Sequence, residues 1–223
     1  MQKFSDGAIQ WDVGCENDCV RKNFIIPAAT RLFSELKPES ILDVGAGTGF
    51  TARHIDDKLN YCPSWTLLDS NPDRLALATS KCPSSMKFEI KCENFLIMES
   101  TKRKFDALFF GFTLLELGTG DEVLSRIDNL CSKQGTIVIA QPDVMQDVLA
   151  SCSSDTSMLE NFISGPVSLR KTDKFTKTEY PFHAERFESV AYKVMQLGFS
   201  LVRFEKEVFD GRAVFMLVFR RQN

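Results

Sequence analysis

The chain has 223 residues, and 43% of them are hydrophobic, which is enough apolar material to bury a sizeable core. Its net charge of -3 argues against the basic face that nucleic-acid binding requires. No apolar run reaches the roughly 18 residues of a membrane helix, and the segment from Met1 to Asp6 lacks the apolar region of a secretory signal. We therefore expect a cytoplasmic protein with neither a nucleic-acid nor a membrane partner.

The seven cysteines are odd in number and scattered along the chain, which favours reduced thiols over a disulfide framework. Cys15 and Cys19 are close in sequence, but no second closely spaced pair of Cys or His exists to complete four metal ligands. The sequence therefore predicts no metal site.

The first predicted elements are a helix over Val20–Leu36 and a short strand that begins at Ser40. This strand ends in an acid and leads into three alternate glycines: Asp43, Gly45, Gly47 and Gly49. Glycine can adopt positive φ and lets a ligand lie against bare backbone. The next segment, Phe50–Lys58, is predicted to be a helix whose free N-terminal amides face that ligand. A dinucleotide fingerprint needs a further glycine at position 50, so NAD is the weaker interpretation.

This turn resembles the first motif of the class I S-adenosylmethionine-dependent methyltransferases, which reads hydrophobic-Leu-Asp-hydrophobic-Gly-x-Gly-x-Gly. Leu42, Asp43 and Val44 match the motif together with the three glycines. The resemblance implies S-adenosylmethionine as the cofactor, bound by Asp43 and the glycines. In many family members an N-terminal segment closes over the cofactor. The resemblance implies that residues 1–39 form the corresponding helical cap, with Trp11, Arg21 and Phe24 as candidates to line it, although Trp11 and Phe24 are more often simple packing residues.

A second strand, Ser64–Asp69, is predicted to end in another acid. A carboxylate can accept hydrogen bonds from both hydroxyls of a ribose. The alternative is a helix N-cap, since Asp69, Ser70 and Asn71 all cap well, and the following helix begins near Asn71-Pro72 and ends at about Lys81. The resemblance assigns Asp69 to the cofactor ribose and places Ser70 beside it.

The third strand starts at Met86 and runs into Glu93 and Asn94. In the family, the corresponding loop carries an acid that contacts the adenine amino group, and the resemblance gives Glu93 and Asn94 this location. The usual Gly-Asp-Ala is replaced here by Cys92-Glu93-Asn94, and exposure of both polar side chains to solvent is an equal alternative.

A fourth strand follows Lys104, and its apolar run includes Phe110 and ends before Glu116. Four family-like segments in the right order span residues 40–116. The resemblance places Phe110 at the cofactor. The Asp-Pro-Pro-Tyr motif of base amino-methylation is absent after this strand, and no Pro-Cys nucleophile occurs in the chain. DNA methylation is therefore not expected.

The remaining elements complete an α/β fold, namely a doubly wound, mostly parallel seven-stranded sheet with a C-terminal antiparallel hairpin. The strands of that hairpin are joined by Asp210-Gly211, a strong turn signal. The other predicted elements are a helix over 121–131, a strand over 136–139, a helix over 184–197 and strands over 200–208 and 213–220. The methyltransferase domain would thus span 40–223.

Residues 142–183 interrupt this pattern with an irregular, polar insertion that contains a short helix near 158–163. Ligands of open α/β sheets bind beyond the carboxyl ends of the strands, so we expect the insertion to cover the acceptor pocket. Tyr180 and Trp11 are candidate substrate contacts. His183 and Glu116 are candidate general bases for an oxygen acceptor.

The favoured hypothesis is a methyltransferase that acts on oxygen or nitrogen of a small-molecule acceptor. A protein or peptide methyltransferase is the alternative within enzymes, and it predicts an open acidic or extended groove and not a closed lid. Outside enzymes, the alternative is a partner subunit that binds S-adenosylmethionine but has no activity.

Overall fold

The computed structural model describes residues 4–98, 103–151, 157–172 and 179–222. Its strands are β1 (Ser40–Val44), β2 (Ser64–Asp69), β3 (Lys87–Cys92), β4 (Phe105–Gly111), β5 (Cys131–Pro142), β6 (Val167–Thr172), β7 (Glu179–Ala184), β8 (Phe199–Phe209) and β9 (Arg212–Arg221). Its α-helices are α1 (Asp6–Glu16), α2 (Ile26–Leu36), α3 (Phe50–Asp56), α4 (Pro72–Lys81), α5 (Leu114–Leu117), α6 (Asp121–Leu130), α7 (Met145–Ser151), α8 (Ser157–Ser164) and α9 (Phe187–Gln196). A π-helical turn, Arg21–Ile25, directly precedes α2.

Seven strands form one sheet in the order β3-β2-β1-β4-β5-β9-β8. The pairs from β3 to β5 are parallel, and β9 is antiparallel to both of its neighbours. The predicted doubly wound sheet with its terminal hairpin is therefore confirmed. The strand order reverses between β1 and β4, which is the point where such sheets leave a crevice for ligands.

Side chains on each strand alternate between two helical layers, as the period of two requires. Ile41, Trp65 and Phe109 lie in the core with α2, α3 and α4. Leu42 and Phe110 point the other way, into the core formed with α6 and α9. Both faces of the sheet are thus covered, and the near-continuous apolar runs of its central strands follow from this double burial.

The N-terminal segment divides between the core and the carboxyl edge of the sheet. The predicted helix over Val20–Leu36 is present, with the π-helical turn inserted near its start. Ala29 and Phe33 of α2 are fully buried against the sheet, so α2 belongs to the main core. The N-cap of α1 is Ser5, whose side chain accepts a hydrogen bond from the Ala8 N–H.

The insertion is more regular than its polar sequence indicated. It contains α7, α8 and an antiparallel pair, β6 and β7, separate from the main sheet. Val148, Phe162 and Phe182 form a small apolar core that also includes Leu115 of α5. Ala184 belongs to β7, so α9 begins at Phe187 and not at the predicted Ala184. None of the helices in the described ranges combines the length and the apolar content needed to cross a membrane.

A buried ion pair attaches α1 to the main domain. Asp12 is 1% exposed and accepts hydrogen bonds from Arg53 of α3, at 2.9 Å, and from Lys81 of α4. Burial by itself raises the pKa of Asp12, but the hydrogen bond from Lys81 and the charges of both cations outweigh it, and the pKa lies below its usual value. Asp12 is therefore ionised and paired.

We predict that Asp12→Asn lowers the free energy of unfolding by about 3 kcal/mol, because Arg53 stays largely buried after losing its counter-charge. A carboxylate whose pKa is lowered in the folded state stabilises the fold at pH values above its unfolded-state pKa, and this stabilisation is lost as pH falls through the folded-state pKa. The difference in the free energy of unfolding between the parent and Asp12→Asn should therefore be constant above about pH 5 and become smaller in acid. Denaturant unfolding at several pH values measures it.

Glu16→Gln is the matched control, since Glu16 lies 3.4 Å from the same Lys81 but is half exposed. It should cost less than about 1 kcal/mol. Equal effects of the two substitutions would contradict a special role for the buried pair.

Candidate functional site

A cavity of about 350 Å³ opens at the carboxyl ends of the parallel strands, where the strand order reverses. It is lined by the ends of β1, β2 and β4, the loop after β3, the starts of α4 and α5, and two residues of the N-terminal segment. These residues are Trp11, Arg21, Val44, Gly45, Leu68, Asp69, Ser70, Asn71, Arg74, Glu93, Asn94, Phe95, Gly111, Phe112, Thr113, Glu116 and Leu117.

Asp69 is the central acid at the β2 end of the cavity. Its Oδ2 accepts the Gly47 N–H and its Oδ1 accepts the Asn71 N–H, each at 2.8 Å. A carboxylate offers about four lone-pair sites, so each oxygen can still accept a further hydrogen bond. The N-cap of α4 is Asn71, which accepts the N–H groups of Asp73 and Arg74. The helix-cap alternative for Asp69 is thereby removed, and its carboxylate stays at the cavity wall.

Ser70, Glu93 and Asn94 line the same end of the cavity as Asp69. The backbone joins these segments, since the Glu93 N–H donates to the Asp69 carbonyl at 3.1 Å. Glu93 is half-buried and Asn94 is exposed. The sequence-predicted cofactor residues of the second and third strands therefore come together in space.

The glycine turn has the predicted positive φ at Gly45, Gly47 and Gly49. At two of these glycines, other atoms of the protein lie as close to the backbone as we expected a ligand to lie. A Cβ on Gly45 would lie 2.4 Å from the Thr113 Oγ1, and one on Gly47 would lie 3.1 Å from the Trp11 Nε1. Of the three glycines only Gly45 lines the cavity. The turn thus packs against β4 and α1 as closely as it borders the cavity.

Arg21, Phe112 and Glu116 form the opposite end of the cavity, beside β4. The π-helical turn places Arg21 so that its guanidinium pairs with Asp18 at 3.1 Å and donates to the Thr51 hydroxyl at 3.1 Å. The guanidinium carbon also lies 4.7 Å from the centre of the Phe112 ring. π-Helical turns often occur at functional sites. The sequence pattern did not predict this turn, which brings Arg21 into the cavity.

Asp43 lies behind this end of the cavity and does not line it. Its carboxyl is 3% exposed, and burial raises its pKa to about 7 against the opposing charge of Arg21, with Asp69 adding to the rise. Because β1 side chains alternate, Asp43 points toward the layer that contains Arg21. It can therefore act on a ligand through Arg21 and the turn, not by direct contact in this arrangement.

Two further predicted site residues lie away from the cavity. Phe110 is fully buried in the α6–α9 core, with its ring edge-to-face to Phe95 at 5.7 Å, because it alternates to the other side of β4. His183 packs against α5: its ring lies 3.2 Å from where a Cβ of Gly118 would stand, and its Nδ1 is 3.4 Å from the Ser168 hydroxyl. Neither residue lines the cavity.

The residues predicted to contact the substrate or to line the cap lie in different parts of the structure. Trp11 lines the cavity, and the Arg74 guanidinium carbon lies 3.8 Å from the centre of its ring. Phe24 is buried in the main core. Tyr180 pairs through its backbone with Lys171, but its side chain lies outside the described part of the structure. No described residue of 142–183 lines the cavity, and the described part of the insertion packs against Leu115 of α5.

Sequence reasoning did not single out Arg74, Phe112 or Thr113, which also form the cavity wall. Arg74 and Thr113 carry no motif, and only their positions just after β2 and β4 could have indicated them. Within the described ranges, no three Cys, His, Asp or Glu side chains come together as metal ligands.

Residues 36–192, more than half of the chain, match a protein family described as "Methyltransferase domain". No protein of curated function matches the sequence. A Clostridium acetobutylicum S-adenosylmethionine-dependent methyltransferase has a similar structure, with 12% identity, a TM-score of 0.63 and coverage of 95% of both chains.

Two similar structures contain bound S-adenosylhomocysteine. The Burkholderia thailandensis 1,6-didemethyltoxoflavin-N1-methyltransferase is 15% identical, with a TM-score of 0.65 and coverage of 97% of this chain and 84% of that one. The Synechocystis magnesium protoporphyrin IX methyltransferase is 11% identical, with a TM-score of 0.64 and coverage of 91% and 84%. At these identities the similarity establishes the fold.

We predict that Gly47→Ala destabilises the protein by about 1 to 2 kcal/mol, because an L-residue is disfavoured at φ 57°. The added methyl group should also displace the Trp11 ring. Since Trp65, the other tryptophan, is fully buried, a shift in tryptophan fluorescence would report on Trp11. Gly120→Ala is the control, because φ there is -69° and a Cβ meets no atom within 4 Å. Identical spectra for both variants would contradict the Gly47–Trp11 contact.

Proposed function

Because the chain belongs to the methyltransferase-domain family, we propose that it is a class I S-adenosylmethionine-dependent methyltransferase and that it methylates oxygen or nitrogen of a small-molecule acceptor. The observation that carries this proposal is that the two ends of the cavity are lined by side chains of different chemical character. Its β2–β3 end holds acids suited to a nucleoside, and its β4 end holds a cation, an aromatic ring and a carboxylate.

The residues present fit the cofactor at the β2–β3 end. Asp69 would accept hydrogen bonds from the ribose hydroxyls with the lone pairs that Gly47 and Asn71 leave available. Ser70 and the Glu93–Asn94 loop lie where an adenine ring would be recognised by its polar edge. The bound cofactor supplies an electrophilic methyl carbon on a sulfonium.

The amino-acid part of the cofactor would lie toward β4, because the strand order β3-β2-β1-β4 places the glycine turn between the two ends. Arg21 is the cation available there to bind a carboxylate, and a guanidinium suits that geometry better than an ammonium group does. Asp18 and Thr51 would hold the guanidinium in place.

The size of the cavity supports a small acceptor. About 350 Å³ lies at the lower end of the range for small-molecule sites. Trp11 lines it from the α1 side and Leu117 from the α5 side, and a compact acceptor would fit between them.

Glu116 is the stronger candidate for the general base. It follows β4 on α5 and lines the cavity, whereas His183 lies behind α5. A base must come within hydrogen-bond reach of the proton that it accepts. Alignment of the acceptor and exclusion of water by Trp11 and Phe112 would provide the rest of the rate enhancement.

The proposal is tested by incubating the protein with methyl-labelled S-adenosylmethionine and a panel of small amines, phenols and carboxylic acids, alongside a mixture of folded proteins and peptides. Label in the small molecules supports the proposal. Label in the proteins or peptides would favour the alternative acceptor class. Bound cofactor with no transfer to any of them would favour a partner subunit.

We predict that Asp69→Ala weakens S-adenosylhomocysteine binding by about 1.5 to 3 kcal/mol for each charged hydrogen bond lost. Calorimetry measures this loss, and circular dichroism checks that the turn stays folded. Asp73→Ala, an exposed acid in the first turn of α4, is the control and should bind normally. Parental affinity in Asp69→Ala would remove this residue from the site.

We predict that Glu116→Gln reduces methyl transfer by about 10²- to 10⁴-fold and leaves cofactor affinity unchanged, because a base acts on the acceptor. His183→Gln should retain parental turnover, since His183 lies outside the cavity wall. Rates are measured on the acceptor found with the panel. Parental rates in Glu116→Gln would indicate catalysis by alignment alone, and loss in His183→Gln would restore the original candidate.

A further inference from the structure

Phe112 has a backbone φ of 73°, a left-handed conformation that bulky aromatic residues rarely adopt. The other described non-glycine residues with positive φ are Lys37, which is the C-cap of α2, and Asp210, in the turn between β8 and β9. Helix ends and tight hairpins favour this conformation locally. Phe112 lies on the cavity wall in the turn between β4 and α5, where it is neither a helix C-cap nor a hairpin residue, and its carbonyl accepts the Leu115 N–H at 3.2 Å. Tertiary contacts also hold its conformation.

Contacts on several sides hold Phe112 in this conformation. Its N–H donates to the carbonyl of Ala140 on β5 at 2.8 Å, which extends the β4–β5 pairing by one residue. Its half-buried ring packs against both the main core and the small core of the insertion. Strained residues persist where the surrounding structure determines them in this way, and they are concentrated at functional sites.

The conformation places the Phe112 ring under Arg21. The guanidinium carbon lies 4.7 Å from the ring centre, within the range of a cation–π interaction. Asp18 and Thr51 hold the same guanidinium from other directions, and its side chain is only 14% exposed. Two irregular backbone segments, the π-helical turn and the left-handed residue after β4, thus meet at one contact on the cavity wall.

We propose that Phe112 is a positioning residue, whose left-handed backbone is maintained because it fixes the Arg21 guanidinium in the cavity for a carboxylate. The inference rests on the proposed function for the identity of that carboxylate, which is the one on the amino-acid part of the cofactor. If Phe112 served only to pack the core, removing its ring would change stability without a selective effect on ligands that carry this carboxylate.

Phe112→Ala and Phe112→Gly separate the strain from the ring. Both remove the ring, but only glycine adopts positive φ without cost. The melting temperature of the glycine variant should therefore exceed that of the alanine variant by about 2 to 8 °C. Equal melting temperatures, or a higher one for alanine, would show that the backbone at this position is not strained and would overturn the proposal.

Ligand binding separates positioning from packing. S-adenosylhomocysteine affinity should fall by about 3- to 30-fold in both variants, the range expected for a lost cation–π contact. Phe112→Tyr, which keeps the ring, should bind as the parent does. Affinity for 5′-methylthioadenosine, which lacks the amino-acid carboxylate, should be unchanged in all three variants. An equal loss for both ligands would indicate a general collapse of the cavity and would overturn the proposal.

A double-mutant cycle with Arg21→Gln completes the test. If Phe112 acts through Arg21, the double variant Arg21→Gln/Phe112→Gly should bind S-adenosylhomocysteine as Arg21→Gln alone does. Additive losses, or parental affinity in Phe112→Gly, would show that the two residues act independently. A parent protein that fails to bind S-adenosylhomocysteine would refute the proposed function itself, and this outcome is distinct from any behaviour of the variants.

Discussion

Three backbone N–H groups attach the glycine turn to the end of β2, and the geometry of the cavity depends on this attachment. The Gly45 and Ala46 N–H groups donate to the Leu68 carbonyl at 2.8 and 2.9 Å, and the Gly47 N–H donates to the Asp69 carboxylate. Positive φ at the glycines turns these amides inward. The same carboxylate thus anchors the turn and faces the cavity, so we propose that an acid at this position serves both stability and ligand recognition.

Charges along the cavity are arranged in a way that suits a ligand with separated polar groups. Acids lie at the β2–β3 end, and Arg21 lies at the β4 end with Glu116 close by on the same wall. Beneath them, burial raises the pKa of Asp43 to about 7.

The regular elements and the irregular segments of the fold contribute differently to the structure. The sheet and the helices α2, α4, α6 and α9 form cores that use ordinary alternation and provide rigidity. The irregular features are the π-helical turn, the left-handed Phe112 and the buried Asp12 pair that holds α1. Arg21 of the π-helical turn and Phe112 line the cavity, and all three features are enforced by tertiary contacts. The insertion contributes a small core that supports α5, and through it the wall that carries Glu116.

Local signals in the sequence were sufficient for the framework: the bounds of β2, the hairpin at Asp210-Gly211 and the glycine turn were predicted from residues that act on their immediate neighbours. The acid at the end of β2 also reaches the cavity, because parallel strands bring their carboxyl ends to one edge. Tertiary structure alone decided which side chains share that edge. Phe110 alternates into the core, His183 lies behind α5, and Arg21 enters through a π-helical turn. These outcomes depend on strand register and on packing between segments distant in sequence, for which local periodicity contains no signal.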